Sequence, residues 1–273
     1  MQRAIAAILV WCWLGQILCA QMGGKAGIGG VAGLGASGTT SALTWTLIQH
    51  PSNFTCVTTG TGSTQTLGCT VTSTSTTAGN TLILLGAFSA GANVAPTFSS
   101  ASGDSSWTHC PAQYENLLVV TGTFNQGVDC AYILSATGGA TSITFTWTAT
   151  VPNGDGYHSS VELLEIHRAS GSSTFDACTT GGACIATAAG TAARVGPTCP
   201  TTGPSDYVVQ WISESELISS ISGPYTNPFD LDNVNVEAGF AGALNQAAAP
   251  AQTWVTSGET SIDGAAMACV AFK

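Results

Sequence analysis

The sequence predicts an all-β protein: a two-sheet antiparallel β-sandwich, jelly-roll-like and stapled by disulfides. Three observations carry that expectation. Charged residues make up only 7% of the 273-residue chain, so the Lys, Glu and Arg that fill exposed helix surfaces are nearly absent. The apolar runs are short and end at Gly, Pro, Asn or Ser clusters. Segment 142–149 alternates without a break: Ile143, Phe145, Trp147 and Ala149 point one way, Ser142, Thr144, Thr146 and Thr148 the other. That is the period of a strand with one core face and one hydroxylated outer face.

The elements follow in chain order. Residues 1–20 read as a signal peptide, with Arg3 as the basic region, an apolar stretch over 4–14, and Ala20 ahead of a cut before Gln21. The stretch is shorter than the roughly 20 apolar residues of a membrane span. Leu18 stands where a lipoprotein cut before Cys19 needs a small residue, which disfavours that alternative. Residues 21–41, QMGGKAGIGGVAGLGASGTTS, lack apolar periodicity and read as a Gly/Ala-rich linker. Packing of this segment on a neighbouring subunit is the other reading. Residues 42–273 then form a single β-sandwich domain. Strands are expected at 43–48, 81–88, 117–121, 130–134, 142–149, 161–167, 206–212 and 265–272. The Ala-rich stretch 238–251 reads as a single helical turn or as a strand and loop.

Of ten cysteines, Cys12 and Cys19 leave with the leader. The remaining eight are an even number behind a secretion signal, which favours disulfides, and no CxxC pair points to zinc. The preferred pairing is Cys56–Cys69, Cys110–Cys130, Cys178–Cys184 and Cys199–Cys269. The first three close local hairpins or loops, and the last ties a late strand to the C-terminal one.

The formal charge is −10, from 5 basic and 15 acidic residues. No basic patch exists, so a nucleic-acid partner is excluded, and binding to anionic membranes is disfavoured. The expected location is secreted, extracellular or at the cell surface, with no membrane span.

The order of segments resembles a β-sandwich module of secreted and surface proteins from environmental bacteria. The matching pieces are AGNTLILLGAF at 78–88, SGDSSWTH at 102–109, DCAYILSATGGATSITFTWT at 129–148, SSVELLEIHRA at 159–169, FDAC at 175–178, PSDYVVQWI at 204–212 and AAMACVAFK at 265–273. The module is functionally uncharacterised. The resemblance therefore implies the sandwich fold over most of the domain and no catalytic residue.

Motifs for catalysis are missing. The chain has no G-x-S-x-G, Walker loop, dinucleotide fingerprint or H-E-x-x-H. His50, His109, His158 and His167 show no metal-ligand spacing. Glu165 and His167 share a strand face, which fits acid–base chemistry; a structural pair inside the sandwich is the preferred reading. Asp230, Asp232, Asn233, Asn235 and Glu237 supply closely spaced hard oxygen ligands of the kind calcium takes, without the EF-hand glycine. A solvated turn leading into a strand is the competing reading. No cofactor is required beyond this candidate calcium.

Trp107, beside Asp104, with Tyr225 and Trp254 are the candidate ligand-binding residues. They lie near Gly/Pro/Ser-rich segments, where a ring can stack on a sugar while carboxylates bond its hydroxyls. Plugging the sandwich ends is the bland alternative. Trp147 and Trp211 are expected in the core. These features point to a non-catalytic glycan-binding or cell-surface adhesion module, with extracellular polysaccharide as partner. A self-associating structural subunit of a filament or matrix is the alternative, and a secreted polysaccharide hydrolase or lyase the third reading.

Overall fold

The computed structural model describes residues 45–51, 53–60, 64–91, 97–111, 119–121, 124–150, 157–176, 184–189, 193–199, 206–214, 218–222, 227–232, 237–246, 253–256 and 264–273. The expected leader (1–20) and linker (21–41) lie outside them. The described residues form strands, turns and bends without a helix, and every strand pairing is antiparallel.

The strands are numbered in chain order. A central sheet runs β1 (Trp45–Gln49), β10 (Tyr157–Arg168), β4 (Thr81–Gly91), β8 (Phe124–Ile133), β6 (Thr108–His109), and β7 (Val119–Thr121) also pairs with β8. A second sheet runs β2 (Phe54–Thr59), β3 (Thr64–Thr72), β9 (Ser142–Thr150), β5 (Thr97–Ser102). A third runs β11 (Ile185–Ala189), β18 (Gly264–Phe272), β13 (Asp206–Glu214), β16 (Glu237–Gln246), β15 (Asn227–Asp232). A small sheet joins β12 (Ala193–Val195), β17 (Thr253–Thr256) and β14 (Ile218–Ser222). All eight expected strands are present; of the Ala-rich stretch 238–251, residues 238–246 lie in strand β16, as the strand-and-loop reading has it, and 247–251 lie outside the described residues.

The antiparallel all-β sandwich forms as expected, and packing adds a layer to it. Along β4, Leu82, Leu84 and Phe88 join one buried cluster with Leu67, Val71, Phe145 and Trp147 of the second sheet. The intervening Ile83, Leu85 and Ala87 join another with Trp211, Ile212 and Val270 of the third. Alternate residues of a strand face opposite ways, so the central sheet is covered on both sides. This explains why β4 reads as a continuous apolar run while β9, covered on one side, alternates. Burying each such Leu, Ile or Phe contributes roughly 1.5–3 kcal/mol.

Three of the expected disulfides are present: Cys56–Cys69, Cys110–Cys130 and Cys199–Cys269. Cys56 and Cys69 are direct cross-strand partners of β2 and β3. Cys178 lies outside the described residues, and Cys184 is itself disulfide-bonded.

Candidate functional site

At one end of the sandwich, the turn following β5 meets the β3–β4 and β8–β9 connections. Asp104, at a positive φ of 67°, sits among them. Its Oδ1 accepts from the Ser105 and Thr137 N–H groups and the Thr137 hydroxyl, at 2.8, 2.6 and 2.8 Å. Its Oδ2 accepts from the Thr76 hydroxyl at 2.6 Å and the Gly138 N–H at 3.1 Å. Burial opposes ionisation of this carboxyl, but the bonds from Thr76, Thr137 and Ser105 outweigh it and hold it down to about 2. Trp107, partly buried against the second sheet's core, donates its indole N–H to Gly103 O at 2.7 Å. Asp104 thus ties the three connections together, while the Trp107 N–H closes its own turn, so both polar groups are engaged within the protein.

Glu165 is fully buried beside these loops. It accepts from Thr77 N at 2.9 Å, Asn80 Nδ2 at 2.5 Å and Gln49 Nε2 at 2.5 Å. His167 Nδ1 bonds Asn80 Oδ1 at 2.9 Å, so an amide separates the two residues that share a strand face. The arrangement fixes β1 and the β3–β4 connection against β10. A second buried carboxylate, Asp129, takes His109 Nε2 at 2.7 Å, Cys130 N at 2.8 Å and Trp147 Nε1 at 2.8 Å. Burial pushes its pKa up, against the pull of those bonds.

A surface groove of about 530 Å³ lies between β1 and β3, lined by Gln49, His50, Asn53, Ser73 and Thr74 among others. Buried Glu162 stands 3.7 Å from His50 Nδ1, and its charge adds to burial in pushing the Tyr207 hydroxyl up. Ser73 Oγ makes no hydrogen bond, so His50 and Ser73 are not joined as base and nucleophile.

Among the described residues, the outer face of the second sheet forms a broad uniform surface. Register places three rows across it: Thr55, Thr70, Thr144, Ser102; Val57, Gly68, Thr146, Ser100; and Thr59, Thr66, Thr148, Thr97. Every one of these residues is exposed or half-buried, while Leu67, Cys69, Val71, Ile143, Phe145 and Trp147 point inward. Strand geometry spaces such rows about 4.8 Å across the strands and about 6.8 Å along them. The four strands contain no Asp, Glu, Lys or Arg. The Thr70 and Thr144 hydroxyls pair at 2.8 Å.

The other expected residues fall as follows. Trp254 lies in β17, with Arg194 and Ile221 as backbone partners. Tyr225, Asn233 and Asn235 lie outside the described residues. Asp230 and Asp232 sit in β15 and Glu237 opens β16, its antiparallel partner. The thiol sulfurs of Cys184, Cys199 and Cys269 cluster within 4.8 Å, but all three are in disulfides and none is a free thiolate for a metal. Sequence reasoning missed the wholly buried Arg194–Glu214 pair, at 2.5 Å. Nothing in an isolated Arg and a Glu twenty positions on marks them as partners. The hydroxyl rows had a signal, the Thr alternation of 142–149, whose extension across four strands needed the register.

No protein-family model, curated protein or solved structure matches the chain.

Proposed function

We propose that this is a secreted, non-catalytic β-sandwich that binds extracellular polysaccharide through the outer face of the β2-β3-β9-β5 sheet. The observation that carries the reading is the uncharged hydroxyl array. Threonine offers a hydroxyl for sugar hydroxyls and a methyl for the C–H face of the ring. A surface without charges has no ion to desolvate when a neutral polymer covers it. The array is broad and shallow, which suits packed chains of an insoluble polymer better than one soluble oligosaccharide held in a pocket. Secretion is supported by the leader-like N-terminus and the disulfides, which persist in oxidising compartments.

The test is retention of the leader-free protein on insoluble cellulose, chitin and xylan, with calcium and with chelator. Retention on one neutral polymer, lost in Thr70→Glu/Thr146→Glu while the fold persists, is the expected result. Loss with chelator assigns the Asp230–Glu237 segment a part. No retention on any polymer, together with multimers on size exclusion, replaces this reading with the structural-subunit one. Release of reducing sugar replaces it with an enzyme.

A further inference from the structure

A second, smaller cavity of about 320 Å³ opens where the loop after β10 meets the start of β4 and the end of β8. Gly79, Ser135, Gly171, Ser172 and Ser173 line it, with Arg168 at one wall. Its walls are held in place. Thr81 Oγ1 bonds Leu134 O at 3.2 Å and Ser173 Oγ at 2.7 Å. Arg168 lies with its guanidinium carbon 5.7 Å from the centre of the Trp45 ring, its cross-strand partner. One guanidinium nitrogen, Nη1, donates to Ser172 O.

A guanidinium carries five N–H donors and no acceptor. Beyond that bond, those of Arg168 find no acceptor among the described residues, and no carboxylate pairs with it there. This sets it apart from the other described Lys and Arg residues. Arg194 is bound to Glu214 and Lys273 to Asp176, at 2.8 Å, while Arg3 and Lys25 lie outside the described residues. In a protein of net charge −10, a lone cation is fixed against a ring in a hydroxyl-lined cavity.

We propose that this cavity is a binding site for a sugar carboxylate, a uronic acid. The planar fork of Arg168 matches a carboxylate. The Ser135 and Ser172 hydroxyls, both exposed, face the ring hydroxyls of the same ligand. The volume is at the lower end for small-molecule sites, which suits one monosaccharide. The site is distinct from the threonine face and does not depend on it.

The test is calorimetric titration of the leader-free protein with glucuronate, galacturonate, glucose, inorganic sulfate and short oligogalacturonate. The uronates bind and glucose does not. Loss of the charged pairing in Arg168→Gln weakens uronate binding roughly tenfold to hundredfold. Because Arg168 also packs on Trp45, Ser135→Tyr is the second variant: it fills the cavity, leaves the guanidinium's contacts intact and abolishes binding. Thr146→Glu leaves uronate binding unchanged. Oligogalacturonate binding tighter than the monomer identifies a polymer end as the source, and equal affinity identifies the free sugar acid. Uronate binding no tighter than glucose, sulfate binding as tight as uronate, or binding unaltered in Ser135→Tyr overturns the assignment.

Discussion

Trp147 and Trp211 meet the central sheet at the same residue, Gly86, from opposite sides. The Trp147 ring occupies the space where a side chain at 86 would begin: a Cβ there would stand 2.4 Å from Trp147 Cζ2. From the other layer, Trp211 donates its indole N–H to Gly86 O at 3.1 Å. Each ring is completely buried, and each N–H has a partner, Asp129 in the case of Trp147. One glycine therefore registers both outer sheets on the middle one.

Replacing that glycine tests this directly. Gly86→Ala forces Trp147 or the strand to move, and overpacking of a close-packed core costs typically 1–3 kcal/mol. Urea unfolding followed by tryptophan fluorescence should show a lower midpoint. A midpoint equal to that of the wild type contradicts the packing described.

Asp104 makes stability depend on acid. Its carboxyl ionises near 2 in the folded protein, against an ordinary 3.8. A folded value below the unfolded one adds stability that is complete above about pH 4 and is lost as pH falls through 2. Asp104→Ala costs about 3 kcal/mol at neutral pH, since hydrogen bonds to a charged group contribute about 1.5–3 kcal/mol. The difference between wild type and variant should shrink as pH falls from 4 to 2. A gap that stays constant over that window refutes the carboxylate's role.

Glu165→Gln separates structure from binding. An amide nitrogen placed among Thr77 N, Asn80 Nδ2 and Gln49 Nε2 meets donors with a donor. The expected loss is roughly 1–3 kcal/mol of stability, with polysaccharide retention intact. Complete loss of retention in a folded variant would instead make Glu165 part of the binding site.

The disulfides should differ in worth by the loops they close. Cys199–Cys269 spans 70 residues and Cys56–Cys69 spans 13. Chain entropy then gives about 4 kcal/mol for the first and about 3 kcal/mol for the second. Paired Cys→Ala variants compared by denaturant midpoint check the order, and a larger loss from the short loop reverses it.

The strands were legible because their cause is local. Period two at 142–149 and the apolar run at 81–88 are properties of neighbouring residues, and both segments are strands. Cys56–Cys69 and Cys110–Cys130 followed from short spacing, and Cys199–Cys269 from reading a late strand tied to the C-terminal one. The third layer was not legible, because a run such as LILLGAF says that both faces are buried without saying by what. The same limit applied to Asp104 and Trp107. Their proximity is written in the sequence, but the partners that occupy the carboxylate, Thr76 and Thr137, come from 28 residues before and 33 residues after.

The layering also has an order in time. Every strand of the central sheet and of the threonine-faced sheet comes from residues 45–168, and every strand of the third sheet from 185–272. During synthesis the first two layers are complete while Ile83, Leu85, Val128, Leu164 and Ile166 still lack their cover. Among the described strands, that cover is finished by β18, the last of them to be synthesised. Until it docks, the nascent protein presents an apolar sheet face to its surroundings. This leaves it dependent on holding factors until the third sheet docks, and truncations that remove β18 should end in aggregates rather than in a smaller folded protein.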